Sequence, residues 1–319
     1  MSRLKKIVIG LLIMICSITL VCGGYIYSKL NLMSEAQDTN SSEEKTNELE
    51  IENKIQNILL AGVDGNNLDR GNRSDSMMIL TVDGKNKNLR ITSLSRDTYV
   101  DIKGHSTEKL THAYAYDGPS LLLDTIKSNF DLDIDKYVTV NFNSFIKCID
   151  LIGGVEVEVT DNDINMLNKY IDECYEYDRR KDKAAKEYIN TSGKHNLNGY
   201  QALAFSRIRY QDSAFARDAR QRQVVQACIK KLQGEGLEKT LEAIDMIMSG
   251  IKTNLTPAEI ISITSKVLMI GGEDMKALQF PVYQNPATLK GKGWVIQWEK
   301  EPNVKVLHDF IFNNKEFNS

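Results

Sequence analysis

The chain has 319 residues, 42% hydrophobic and 26% charged, with 5 prolines; this globular composition excludes collagen-like, wholly disordered and small disulfide-scaffold classes. A formal charge of −3 is no signature of a general nucleic-acid binder. Of the 5 cysteines, Cys16 and Cys22 lie in an N-terminal apolar run, while Cys148, Cys174 and Cys228 share no close spacing, so neither a zinc site nor a disulfide framework is indicated.

Residues 7–27 (IVIGLLIMICSITLVCGGYIY) form a run of 21 residues without a charge. At about 1.5 Å per residue, a helix of that length spans roughly 30 Å, the thickness of a bilayer core. Arg3, Lys5 and Lys6 precede the run, and Tyr25 and Tyr27 close it. The positive-inside rule predicts a transmembrane anchor with residues 1–6 in the cytoplasm and everything after residue 27 outside. A cleaved signal peptide and a lipoprotein modified at Cys22 are the alternatives. The first usually has an apolar core of only about 7–15 residues, and Val21 is a poor neighbour for a lipidated cysteine. All three readings place the bulk of the chain outside the cytoplasmic membrane. Residues 28–54 are rich in acids and poor in apolar side chains, the composition of a solvated linker.

Folded sequence resumes at residue 55. Short apolar runs at 58–63, 77–82 and 89–94 predict strands, and the turn-rich 83–88 predicts a hairpin between the last two. A helix is expected over 120–130 with Pro119 in its first turn, then a strand at 137–142 and a helix at 143–151 closed by Gly153 and Gly154. Strict alternation at 155–159 predicts a half-exposed strand. Residues 161–190 read as a helical or mobile insertion. Helices follow at 198–206, 219–232, 237–250, 257–270 and 304–312. Strands interleaved with helices predict an α/β or α+β fold with a covered sheet.

Three constellations carry chemistry. Asp64 ends the first strand and Asp75 directly precedes the second, so adjacent strands would converge two carboxylates. Such a pair is a natural magnesium site when phosphate supplies more oxygens; turn and cap chemistry is the competing reading. Arg96 and Asp97 fall just past a strand end, where an arginine offers planar bidentate donors to phosphate; a surface ion pair is the alternative. Lys109 and His112, in EKLTHAYAY, are weaker signals. The strongest is FSRIRYQDSAFARDARQRQ at 205–223. There Arg207, Arg209, Arg217, Arg220 and Arg222 are five arginines in 16 residues, against two acids, Asp212 and Asp218. Arg207 and Arg209 would face one way on an extended backbone, and Arg217 and Gln221 share a helix face. Clustered arginines repel unless an anion compensates them. A solvated basic face is the competing reading; an outside location and the lack of an interleaved aromatic platform disfavour nucleic acid, and a polyanionic phosphate ligand is the best single explanation. No G-x-S-x-G elbow, histidine pair at metal spacing or Walker loop is present.

These blocks occur in a set order: NILLAGVD at 57–64, RSDSMMIL at 73–80, SLSRDTYVDI at 93–102, KLTHAYAYDGP at 109–119, LIGGVEVEV at 151–159 and LNGYQALAFSRIRYQDSAFARDARQRQVV at 197–225. Together they resemble the LytR-CpsA-Psr family of bacterial cell-envelope proteins, with a family core at about 57–233. The resemblance implies an α/β sandwich with a central mixed β-sheet covered by helices, preceded by one transmembrane helix. The implied organisation is a cytoplasmic stub at 1–6, an anchor at 7–27, an acidic linker at 28–54 and an extracytoplasmic catalytic domain at 55–319. The implied activity is transfer of a glycopolymer from a polyprenyl-pyrophosphate carrier to peptidoglycan, forming a phosphodiester link, with Mg2+ assisting and the prenyl tail in an apolar pocket. By motif position, Asp64 and Asp75 are the implied metal carboxylates. Arg73, Arg96, Lys109, Arg207, Arg209, Arg217 and Gln221 are the implied pyrophosphate set, and Asp75, Arg96, Asp97 and Asp212 the implied catalytic set. Expected partners are the lipid-linked glycopolymer, peptidoglycan and the bilayer, with no nucleic acid. Four positions depart from the family pattern: Ser95, Thr111, Ala214 and Ala216. With alanine at 214 in place of an acid, Asp212 or Asp97 would have to activate the acceptor hydroxyl, or catalysis would rest on the metal site. A pyrophosphohydrolase using water, and a non-catalytic envelope-binding or regulatory membrane protein, are the rival classes.

Overall fold

A computed structural model describes residues 55–65, 68–178, 183, 185–209, 214–247 and 250–317. The expected anchor, the linker and Asp212 lie outside the described residues. Among the described residues, no helix is long and apolar enough to cross a membrane.

A six-stranded mixed sheet organises the domain. In chain order its strands are β1 (Ile55–Val63), β2 (Ser74–Asp83), β3 (Asn88–Leu94), β6 (Lys136–Asn141), β9 (Ile251–Thr253) and β10 (Lys276–Phe280). Their spatial order is β10-β3-β2-β1-β6-β9. β1, β2 and β3 form an antiparallel meander, with Asp83 paired to Asn88 at the expected hairpin. β6 runs parallel to β1, and β10 parallel to β3. Three two-stranded ribbons complete the strands: β4 (Tyr99–Val100) with β5 (Glu108–Lys109), β7 (Val155–Val159) with β8 (Gly193–Leu197), and β11 (Gln284–Leu289) with β12 (Gly293–Trp298).

Alternation along β1 sends its side chains to two separate cores. Leu59, Ala61 and Val63 pack with Met77 and Ile79 against α1 (Leu110–Phe130) and α7 (Lys300–Asn313). Ile58, Leu80 and Val82 face the other way, toward α5 (Ala214–Ile247) and α6 (Pro257–Ile270), through Val225, Ile229, Ile263 and Val267. The result is a helix–sheet–helix sandwich. A third apolar cluster joins α2 (Phe142–Leu151), α3 (Asp161–Tyr177) and α4 (Gly199–Arg207) to the β7–β8 ribbon and to Val224 of α5.

The structure corrects several sequence expectations. Pro119 opens the helix expected over 120–130, but that helix is the second half of a longer run. α1 begins at Leu110 and kinks at Asp117 and Gly118, whose φ is 69°, so Pro119 starts only the second half. Asp75 lies within β2, not before it. The span 161–190 contributes a 17-residue helix, α3, nucleated by a capping box between Thr160 and Asp163. The helices expected at 219–232 and 237–250 are one run, α5, bent at Gly236. The strands β8 to β12 were not anticipated. β8 (GKHNL) and β11 (QNPATL) are short and mostly polar, so they lack the apolar signature that marks β1 and β2.

Candidate active site

The site lies where β1, β2 and β6 end beneath α2–α5. A cavity of about 300 Å³ is walled by Leu60, Ala61 and Met78 of the sheet, by Val138 and Val140 of β6, and by Phe142, Phe145, Tyr170, Leu203, Val224 and Val225 of the helices. Its polar lining is concentrated in Asp75, Ser76, Asn141, Ser206, Arg207, Arg209, Arg217 and Gln221. An apolar chamber is thus rimmed by three arginines.

Backbone irregularity delivers Asp75 to that rim. Gly62 pairs with Ser76 and Val63 with Ser74, so Asp75 is the extra residue of a β-bulge. Gly62 permits the close strand approach, since a Cβ there would meet the Ser76 Cβ at 3.3 Å. Thr111 pins the same place by donating its hydroxyl to the Ser74 carbonyl at 2.9 Å. One Asp75 oxygen accepts from Arg96 Nη1, and the other faces Arg209 Nη2 at 3.7 Å. Arg96 reaches on to Asp97 at 3.3 Å, and Asp97 pairs with Lys109 at 3.0 Å. Arg96, Asp97 and Lys109 are therefore joined to the rim through Asp75, although none of the three lines the cavity. Asp64 and Arg73 form a separate pair beside it: the Arg73 backbone N–H donates to Asp64 Oδ1 at 2.9 Å, and the side chains meet at 3.4 Å.

The arginine cluster is not the unpaired array that the local count of acids suggests. Acids remote in sequence reach it. Arg207 faces Glu173 at 3.5 Å, Arg209 faces Asp75, and Arg220 meets Asp163 at 2.7 Å. Arg217, with its side chain 5% exposed, binds its neighbour Asp218 at 2.8 Å. Arg222 turns away from the cavity and donates to Ser93 Oγ and Gln279 Oε1. The cluster therefore divides by direction: Arg207, Arg209 and Arg217 face the ligand space, while Arg220 and Arg222 knit α5 to α3 and the sheet. Arg207 and Arg209 do not share one extended segment. Arg207 ends α4, and Arg209 follows the non-helical Ile208.

Electrostatics distinguish these groups. Burial lowers the Arg96 pKa, but the carboxylates of Asp75 and Asp97 outweigh it and hold the guanidinium above its ordinary value. Arg209 is shifted down, first by burial and then by repulsion from Arg96 and Arg217, with Asp75 and Asp97 compensating only in part. That corner of the site is short of negative charge. Arg207 sits within an aromatic cage, its Cζ 5.4 Å from the Phe142 ring, 5.3 Å from Tyr170 and 5.4 Å from Tyr177. It also donates to Cys174 Sγ at 3.3 Å. The cage was missed at the sequence level, although Ile164, Leu167, Tyr170, Ile171 and Cys174 recur at helical spacing within the charged 161–190 span.

A LytR_cpsA_psr family model matches residues 24–307. The chain belongs to the LytR_cpsA_psr family. Two relatives carry the name polyisoprenyl-teichoic acid–peptidoglycan teichoic acid transferase TagU. The Bacillus cereus protein is 33% identical over 264 residues, covering 79% of this chain and 80% of its own. The Bacillus subtilis protein is 31% identical over 267 residues, covering 80% of each. A solved structure described as TagT bound to LI-WTA superposes with a TM-score of 0.66 at 25% identity, covering 88% of this chain and 96% of that one.

Two departures from the family pattern are accommodated by contacts. Ser95 Oγ accepts from Gln279 Nε2 at 2.9 Å, and the same amide nitrogen donates to Asp218 Oδ2 at 2.9 Å. Ser95 thereby joins a network that holds Asp218 against Arg217. Thr111 supplies the tie to Ser74 described above.

Proposed function

We propose that this chain transfers a glycopolymer from a polyprenyl-pyrophosphate carrier to peptidoglycan, forming a phosphodiester link. The observation that carries the reading is the apolar chamber rimmed by Arg207, Arg209 and Arg217, because an isoprenoid tail and a pyrophosphate are the two halves of such a carrier. The transferase names of the relatives support the acceptor and polymer class. The rim arginines bind the pyrophosphate through charge-assisted hydrogen bonds and neutralise the charge that develops as the bond to the leaving phosphate lengthens. An acceptor hydroxyl oxygen attacks the phosphorus that bears the glycan. The bond to the bridging oxygen breaks, polyprenyl phosphate leaves with the electron pair, and the hydroxyl proton passes to Asp75, the carboxylate at the rim.

The donor set fits magnesium. Asp64 and Asp75 place two carboxylates at neighbouring strand ends, and Mg2+ commonly takes one or two carboxylates together with substrate phosphate and water. Among the described residues, no group of three or more His, Cys, Asp or Glu side chains is gathered to hold a metal, and in this reading the pyrophosphate would complete the shell. When bound, the ion would supply further charge neutralisation at the pyrophosphate oxygens. In the same reading, residues 1–6 are cytoplasmic, 7–27 span the membrane, 28–54 link, and 55–319 act outside it.

The test is incubation of the full-length protein with lipid-linked glycopolymer and peptidoglycan oligomers. Ligated product is expected. Free phosphorylated glycan without ligation would instead identify a hydrolase.

A further inference from the structure

The apolar chamber does not end beneath the arginines. Leu60 and Val138 also wall a second cavity, of about 150 Å³, lined by Leu80 of the sheet, Ile244 of α5, and Ile260 and Ile263 of α6. The two cavities therefore abut, and α6 closes the far end of the apolar path that starts at the arginine rim.

The outward arc of α6 is unusual for a surface helix. Ile260, Ile263, Val267 and Ile270 pack inward. Both charged residues of the helix are engaged with the sheet side: Glu259 caps the Thr256 N–H and pairs with Lys136 at 2.7 Å, and Lys266 donates to Gln56 at 3.3 Å. What remains on the outer arc, at spacings of three and four, is Ala258, Ser262, Ser265, Leu268 and Met269. None carries a charge, and Met269 is 75% exposed. On the adjoining end of α5, Met246 is 64% exposed. The charged residues of that segment, Glu238, Lys239, Glu242 and Asp245, belong to α5, not to α6. Solvated helix faces normally carry charged side chains, whereas an uncharged arc with protruding methionines suits a lipid surface.

We propose that α6 rests on the bilayer and that the cavity behind it is the port through which the prenyl tail reaches the arginine rim. This rests on the lipid-linked substrate reading above. Three observations favour lipid over a second copy of the chain as the occupant. The helix that bears the arc also walls, through Ile260 and Ile263, the cavity that abuts the arginine-rimmed chamber. The chain enters the domain beside α6, through Gln56. Upstream of that entry, the sequence carries an uncharged 21-residue run.

Full-length protein is reconstituted in phosphatidylglycerol–phosphatidylethanolamine vesicles containing lipid brominated along its acyl chains. The fluorophore added by Met269→Trp should be quenched beyond the background of Trp294 and Trp298. That added by Phe312→Trp, on α7 across the sheet, should not. Separately, Met269→Asp and Ser265→Asp should slow turnover of carrier embedded in vesicles at least about tenfold, while turnover of the same headgroup on a short prenyl chain in detergent stays within about twofold. No quenching at 269, equal quenching at 312, or equal loss on both substrates overturns the docking. Self-association through an unquenched 269 position overturns it in favour of a second copy. Quenching is read without turnover, so a parent protein that transfers nothing from either carrier refutes the proposed reaction while the membrane contact is still decided.

Discussion

The Arg96 guanidinium donates from Nη1 to the Asp75 carboxylate, the bulged residue of β2, and from Nε to Asp97 at 3.3 Å. One planar side chain thus spaces the carboxylate at the cavity from the carboxylate outside it. Arg96→Lys keeps the charge but cannot donate in two directions from a rigid fork. Turnover on lipid-linked substrate should fall by about 10- to 100-fold, roughly 1.4–2.8 kcal/mol at 1.36 kcal/mol per decade. Turnover within about twofold of the parent would remove Arg96 from the site.

Arg209 and Arg217 should separate activity from stability. The Arg209 side chain is 37% exposed and faces other guanidiniums, so Arg209→Ala should change stability by no more than about 1 kcal/mol. Loss of its charge-assisted contacts should lower turnover about 30- to 1000-fold, or roughly 2–4 kcal/mol. Arg217→Ala leaves Asp218, with its side chain 3% exposed, without its cation, and should cost about 3–5 kcal/mol in denaturant unfolding as well as activity. Equal stability losses for the two variants would contradict this division.

A magnesium titration tests the paired strand-end carboxylates. Asp64→Asn keeps the shape and one neutral oxygen but removes the charge, so half-maximal activity should require at least about tenfold more Mg2+, with the unfolding midpoint little changed. An unchanged titration would exclude Asp64 as a metal ligand.

Far from the site, Asp83 and Arg90 form an ion pair whose side chains are 1% and 0% exposed. Arg90 also donates to the Ile311 carbonyl and to Asn314 Oδ1, which clamps the end of α7 onto β3. Burial pushes the Asp83 carboxyl up, yet the hydrogen bonds from Asn86 and Arg90 outweigh it and hold the group below its ordinary value. A depressed folded pKa contributes stability that is present above the unfolded value of about 3.9 and is lost as pH falls through the folded one. Thermal stability should therefore drop below about pH 4. Arg90→Met should destabilise by about 3–5 kcal/mol at neutral pH and flatten that acid limb, and adding Asp83→Leu should recover much of the loss. An acid limb identical to the parent's in Arg90→Met would refute the assignment.

Much of the sandwich was legible because its central elements are strongly patterned. β1 and β2 carry continuous apolar runs, and the hairpin at 83–88 carries turn residues. α6 begins at Pro257 after a Thr256 cap, as its local code predicts. The peripheral ribbons were not legible. The polar β8 is held by pairing with β7, and β11 by pairing with β12, contacts between segments that no local period reports. The candidate site divides the same way. Residue types marked Asp75, Arg96 and the arginine run, but the directions of Arg220, Arg207 and Arg222 depended on Asp163, Glu173 and Gln279, which lie 34 to 57 residues away along the chain.

By itself the sequence determined the apolar N-terminal run, the order of the main strands and helices, the residue types of an anion site, and membership of a family recognisable from ordered blocks. These are properties of composition, period and spacing, which act over a few residues. Only the tertiary structure decided that Asp75 projects from a bulge, that three arginines rim an apolar chamber while two are structural, and that the outer arc of α6 is left without charge. Each depends on which distant side chain occupies the space opposite, and that is set by packing across the sheet.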